Sequence, residues 1–315
     1  MQNTELRPLG AGEMLDRAIT LYVRRFALIV TVLAVVTVPL MVLQGLVAPE
    51  SARAFSELGR VFAASADPHG AQKAADAMAL DSRMSPAGAL LIFASVFVRV
   101  LMWCAILAVV AAAYAGHVTR IGDAYRLALK RWFPQMVVGL AFMLLGMFAL
   151  IPVFVLYIML IFALVALAAL HLPAVAIVAG IAGGVVVLGG ALVIGALVFM
   201  AYELAAVAIV TETGNPMQAI GIGLRRAFAP GMKRRTLAAG LVLLVVTYAG
   251  TLPVIAAAVL VTALTHVEAA YFAIMAVGTV LLDGLVAAFV VVYAVDVRVR
   301  REGFDLVVPE ATAPA

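Results

Sequence analysis

Charge is scarce in this chain of 315 residues: Asp, Glu, Lys and Arg make up only 12% of it. Soluble domains carry about 25%. Cysteine is nearly missing, with Cys104 the single thiol, which excludes an internal disulfide framework and leaves no cysteine pair for a metal. Lysine is rare as well: only Lys73, Lys130 and Lys233 accompany eighteen arginines, a bias that hints at a GC-rich bacterial genome. Catalytic signatures are missing too. There is no P-loop, no H-E-x-x-H and no G-x-S-x-G, and Gly10-Ala-Gly12 lacks the third glycine of a dinucleotide loop. The expectation is a protein with no enzymatic activity, cofactor or metal of its own.

What is present is apolar. Two-thirds of the residues (66%) are hydrophobic and the mean hydropathy is +1.17. No single soluble core hides that much surface, so lipid must be the solvent for most of it. A soluble enzyme, a nucleic-acid-binding module and a disordered linker are all excluded. Six apolar runs stand out: Phe26–Val47, Ala87–Gly116, Met136–Leu170, Pro173–Val210, Leu237–Leu264 and Val267–Val297. A helix needs roughly 20 residues to cross about 30 Å of hydrocarbon, so the longer runs must tilt, kink or project beyond the bilayer. The run from Pro173 holds either one long helix or a span plus an interfacial piece; one span, with Glu203 near its inner end, is favoured. The predicted fold is all-α: six transmembrane helices plus cytoplasmic amphipathic interfacial helices.

Basic residues orient the chain. One side holds sixteen: Arg7, Arg17, Arg24, Arg25, Arg120, Arg126, Lys130, Arg131, Arg225, Arg226, Lys233, Arg234, Arg235, Arg298, Arg300 and Arg301. The other holds Arg53, Arg60, Lys73 and Arg83, and Arg99 falls inside a run. By the positive-inside rule both termini are cytoplasmic, in a bacterial inner membrane. The charged opening, with Glu5, Arg7, Glu13, Asp16 and Arg17 ahead of any apolar run, does not read as a cleavable signal peptide. The expected organisation is an N-terminal amphipathic helix over 1–25, a membrane domain over 26–298 with an external loop at 48–86, and a cytoplasmic tail over 299–315.

Three cytoplasmic segments share a design. In the first, Leu15, Ala18, Tyr22 and Phe26 oppose Glu13, Asp16, Arg17, Thr20 and Arg24; in the second, Ile121, Ala124, Ala128 and Trp132 oppose Asp123, Arg126 and Lys130. The third opens with Asn215-Pro216-Met217-Gln218, an N-cap, an N1 proline and a capping-box glutamine, followed by the stripe Ile220, Leu224 and Phe228. Each following span carries a proline: Pro39, Pro152 and Pro253. Three parallel repeats of interfacial helix, kinked span and return span account for the chain; the alternative is that any polytopic protein has basic aromatic ends and some prolines.

The two ends carry a resemblance. Arg7-Pro-Leu-Gly-Ala-Gly-Glu-Met-Leu-Asp-Arg-Ala, continuing to Leu21-Tyr22 and Arg24-Arg25-Phe26, resembles the opening of a bacterial family named for the membrane domain of glycerophosphoryl diester phosphodiesterase. Tyr293-Ala-Val-Asp296-Val-Arg298-Val-Arg300-Arg301-Glu302-Gly303-Phe304-Asp305-Leu306 is similar to that family's close, and Glu212 ahead of Arg225-Arg226 to its middle segment. The motifs are structural rather than catalytic. The barrel that performs the diesterase reaction elsewhere is not among these residues, so the resemblance implies a membrane domain and carries no hydrolysis with it.

Four constellations remain. Arg99 and Asp283 lie deepest in apolar runs and have opposite sign. Their helices run in the same direction, at depths of about 18 and 24 Å from the outer end, so a buried charge pair is expected, either fixing helix register or lining a pathway. The basic ends, Arg24, Arg25, Lys130, Arg131, Arg225, Arg226, Lys233, Arg234 and Arg235, either set topology or form a collar for anionic lipid or a phosphate-bearing ligand. Gly180 and Gly184, at small-xxx-small spacing, are expected to pack helices. His69, His171 and His266, with Glu268, lie in separate loops without ligand spacing and read as loop histidines. Two functions follow: a non-enzymatic scaffold or lipid-interacting module working with a partner, or a small transporter or channel using Arg99 and Asp283. Expected partners are membrane lipids, anionic ones above all, and no nucleic acid.

Overall fold

The structure is a computed structural model that describes residues 9–47, 49, 85–265 and 267–302. Arg7, nearly all of the expected external loop at 48–86, His69, His266 and 303–315 of the expected tail lie outside the described residues. The described residues form eight helices: α1 (Ala11–Arg24), α2 (Phe26–Val47), α3 (Pro86–Tyr114), α4 (Ile121–Ala169), α5 (Pro173–Thr211), α6 (Pro216–Phe228), α7 (Lys233–Thr265) and α8 (Glu268–Glu302). No strand occurs among them. Six helices, α2 to α5 with α7 and α8, are long and apolar enough to cross a membrane. The chain is thus a multi-pass membrane protein in architecture.

Helix ends follow local chemistry. Ser85 caps α3, its hydroxyl accepting from the Gly88 N–H, with Pro86 at the first position. The same helix stops at Gly116, whose φ of 80° only glycine adopts freely, and His117 N–H closes back on the Ala112 carbonyl. The turn between α4 and α5 repeats this closure, Leu172 N–H to Leu167 carbonyl, but puts His171 at φ 57°. Asn215 caps α6 as the sequence predicts, accepting from Met217 and Gln218. The capping-box glutamine behaves differently. Thr213 intervenes, receiving the Asn215 N–H and donating its own hydroxyl to Gln218 Oε1.

The repeat is uneven. Between α1 and α2 only Arg25 leaves the helix, and the backbone bonds Arg25 to Leu21 and Ile29 to Arg25 bridge the gap. In the second segment the amphipathic part and the span are one uninterrupted α4 of 49 residues, with both Pro134 and Pro152 inside it. Only the third has a true turn, around Gly231 at φ 78°. The run from Pro173 is a single helix, with Glu203 buried in its C-terminal half.

The described residues fall into two compact units, one drawn from Met1–Ala11, Phe133–Leu244 and Tyr293–Ala315, the other from Gly12–Trp132 and Val245–Val292. In the second unit, α2 buries Ile29, Val32, Leu33, Thr37, Leu40 and Met41 on one face and exposes Val35, Val38, Val42 and Leu46 on the other. That spacing is one helical stripe; the exposed valines and leucines face what a bilayer would supply. Tyr125 donates to the Val32 carbonyl and Thr37 to the Met102 sulfur. Met41, Ala258, Tyr271, Phe272 and Ala276 make a further cluster, against which Gly45 lies close to the Phe272 ring.

In the first unit the close approaches are made by glycines outside the expected motif. Gly223 of α6 presses against the Ala201 carbonyl and Ala205 of α5, and a Cβ on Gly240 of α7 would stand 2.7 Å from the Ala196 carbonyl. Gly184, expected to pack helices, has open space around its missing Cβ, and Gly180 makes only ordinary contact with Leu164. Gly183, one position away, is the glycine pressed on Leu160. Which face of a glycine-rich helix meets its neighbour depends on that helix's rotation, and glycine spacing does not encode it.

Candidate functional site

Within the first unit the charged end of α8 gathers two ion clusters. Asp296 is 1% exposed on α8. Its Oδ1 accepts the Leu9 N–H at 2.6 Å, and both of its oxygens accept Arg300 Nε, at 3.1 and 2.9 Å. Arg235 of α7 stands 3.7 Å from Oδ2. The Leu9 carbonyl in turn accepts from Arg235 Nη2 at 2.6 Å and Arg300 Nη2 at 2.7 Å. Both polar groups of one peptide residue are therefore held by charged side chains from α7 and α8. Burying a carboxylate is costly unless counter-charge and hydrogen bonds meet it; two guanidiniums and a backbone N–H do so. Above them, Thr236 of α7 and Tyr293 of α8 share a hydrogen bond of 2.9 Å, both fully buried.

The second cluster joins α5, α6 and α8. Glu212, at the C-terminus of α5, takes a two-pronged bond from Arg226 of α6, Nη1 to Oε1 at 2.7 Å and Nη2 to Oε2 at 2.8 Å. Arg298 Nε lies 3.8 Å from the same carboxylate. The close seat of Gly223 on α5 brings α6 near enough for this fork, and Arg226 ends 5% exposed. Beside it, Ile222, Arg225, Arg226 and Arg301 line a cavity of about 220 Å³. Arg225 uses only Nε internally, on the Gly221 carbonyl. Neither Arg225 nor Arg301 has a carboxylate partner among the described residues.

A larger, apolar cavity of about 380 Å³ lies between α4 and α5, lined by Gly139, Phe142, Gly146, Gly195, Val198 and Tyr202 among others. At its edge Gln135 donates to the Tyr202 hydroxyl at 3.2 Å, while Gln135 Oε1 is buried without a hydrogen bond among the described residues. No family model matches the chain, and no curated protein or solved structure matches it either. What the residues do must be argued from their geometry.

The expected collar divides. Arg226 and Arg235 are consumed by Glu212, Asp296 and Leu9 and act in the fold. Arg24, Lys130, Arg225, Lys233 and Arg234 are exposed, Arg25 and Arg131 half-buried. Arg24, Arg25, Lys130 and Arg131 belong to the second unit and the other five to the first.

The expected buried pair is looser than its depths suggest. Arg99 is exposed on α3 and Asp283 half-buried on α8. Arg99 is close enough for its charge to act on Asp283, but no ion pair within 4.0 Å joins them among the described residues. A long arginine lowers its desolvation cost by running along apolar surface rather than burying its head. Among the described residues no group of three His, Cys, Asp or Glu is placed to hold a metal, and His117 and His171 are both exposed.

Asp296 and Leu9 were not singled out by charge or spacing. Their only signal is that both lie in the terminal segments that carry the family resemblance. Gln135 had a weaker one, a polar residue immediately before the apolar run Met136–Leu170.

Proposed function

We propose that this protein is a non-enzymatic module of the bacterial inner membrane, six-span with cytoplasmic termini, that binds anionic lipid and works with a partner. The observation that carries the reading is the division of its arginines. Arg226, Arg235 and Arg300 are engaged by Glu212 and Asp296, while Arg225, Arg301, Lys233 and Arg234 remain exposed at the charged end of an otherwise apolar unit. Each exposed base near an anionic surface contributes about 1 kcal/mol. The meeting of Leu9 with Asp296 and Arg300 supports termini on one side, as an even number of crossings requires. It also supports membership of the glycerophosphoryl diester phosphodiesterase membrane-domain family, because the segments that resemble it converge on one cluster. The transport reading draws no support from the two cavities described above, whose linings include neither Arg99 nor Asp283.

Native mass spectrometry of the purified protein tests this. Phosphatidylglycerol should be retained over phosphatidylcholine, and the preference should fade as salt is raised through the range where the Debye length falls below about 10 Å. Equal retention of both lipids would remove the lipid-binding function.

A further inference from the structure

We propose that the cavity between α6 and the end of α8 is a phosphate-recognition site, built by Arg225 and Arg301 over the Glu212–Arg226 fork. The inference rests on the lipid-binding reading and sharpens it from a diffuse basic surface to one stoichiometric site. Three observations lead there. The cavity of about 220 Å³ is lined by three guanidiniums and one apolar residue, Ile222. Its deepest cation, Arg226, is held rigid by two short bonds to Glu212. The other two guanidiniums are exposed and lack carboxylate partners among the described residues, and Arg225 keeps both terminal nitrogens available because only Nε is engaged.

Guanidinium is suited to this task. Its planar fork matches two oxygens of a phosphate, and it gives up water more easily than an ammonium does. Glu212 does not repel an incoming anion strongly, because Arg226 and Arg298 both face its carboxylate. The site differs from the Asp296 cluster, where Arg235 and Arg300 spend their donors on Asp296 and the Leu9 carbonyl. The occupant is a phosphate group bearing one or two negative charges, carried by a lipid headgroup or by a soluble phosphate ester.

The test uses the whole protein in detergent micelles with three variants: Arg225→Gln/Arg301→Gln, Arg225→Lys/Arg301→Lys, and Lys233→Gln/Arg234→Gln off the cavity. Probes are phosphatidylglycerol, inorganic phosphate and glycerol 3-phosphate, titrated at fixed ionic strength, with thermal unfolding to check the fold. One saturable event per chain is expected, weakened at least tenfold by the glutamine pair. The lysine pair, which keeps charge but loses the fork, should fall between; Lys233→Gln/Arg234→Gln should weaken lipid retention, to which both bases contribute, but leave saturable binding of inorganic phosphate unchanged. Displacement of the lipid by millimolar inorganic phosphate or glycerol 3-phosphate assigns the site to phosphate as such; saturation by lipid only, without displacement, assigns it to a headgroup.

No saturable event with any probe overturns the site, as does one that a folded glutamine pair leaves intact. If lipid preference then persists and follows Lys233 and Arg234, the broader lipid reading stands without the site. If a soluble phosphate binds and lipid preference is missing, the site stands and the lipid reading falls.

Discussion

Asp296 and Leu9 lie 287 positions apart in the chain and are joined by a hydrogen bond of 2.6 Å. Arg300 and Arg235 close the bond from the other side, each donating to the Leu9 carbonyl. The carboxylate is the hub: one negative charge orients two guanidiniums and one backbone amide, and through them it fastens the start of the chain to its last helix.

Asp296→Ala leaves the half-buried Arg235 and Arg300 without their carboxylate and the Leu9 N–H without its acceptor. Hydrogen bonds to charged groups contribute about 1.5–3 kcal/mol each, and thermal unfolding in detergent should show a loss of that size. A loss below 1 kcal/mol would mean that water already serves the two arginines.

Gly223→Ala sets a methyl against the Ala201 carbonyl and should push α6 away from α5, weakening the Glu212–Arg226 fork. Gly184→Ala meets nothing within 4 Å and should be neutral or stabilise by about 0.5–1 kcal/mol through helix propensity. Unfolding midpoints of the two variants should move in opposite directions; equal shifts would contradict the packing.

Tyr22 buries its hydroxyl without a hydrogen bond among the described residues. Burial raises its pKa above the ordinary value of 10.0. Ionisation is then easier in the unfolded chain than in the folded one. The stability tied to the neutral phenol is present below pH 10 and is lost as pH rises through the raised folded value. Tyr22→Phe should be neutral or stabilising, since an unsatisfied buried hydroxyl costs about 1–3 kcal/mol, and should flatten the alkaline limb of a stability–pH profile. A marked loss of stability near pH 7 would reveal a hydrogen-bond partner for the hydroxyl.

His117 and His171 are both exposed, in the turns at the two ends of α4, and one crossing separates them. Cys104 is free but 1% exposed, so it gives little background to thiol labelling. An impermeant maleimide applied from outside intact cells should label His171→Cys and leave His117→Cys untouched. Labelling of both from the same face would remove a crossing from the six.

Arg99→Gln and Asp283→Asn should combine almost additively, with a coupling near the lower limit of about 0.5 kcal/mol found for residues in contact. Their charges interact, yet no hydrogen bond orients them. A double-mutant cycle in detergent unfolding decides it: coupling of several kcal/mol would require the buried ion pair.

Six spans and their rough limits are legible in the sequence because hydropathy is a local property. Phe26–Val47 is both the apolar run and the helix, and Pro173 opens α5 as its position before a long apolar run implies. Caps are equally local, which is why Asn215 and Pro216 begin α6 as read. The fusion of the amphipathic segment with its span in α4 was not legible: the helix runs without a break through Pro134 at their junction and through Pro152, read as a kink in the span. Proline in a spanning helix is tolerated where surrounding groups meet the freed carbonyl. Helix rotation and chain closure were not legible either. They decided that Gly183 and Gly223 pack while Gly184 does not. They also turned Arg226 and Arg235 inward and left Arg225 and Arg301 beside a cavity. Sequence counts a charge without its counter-charge. For Asp296 that counter-charge comes from α7 and from its own helix, with a backbone amide added from the far end of the chain, and only the folded chain brings those three together.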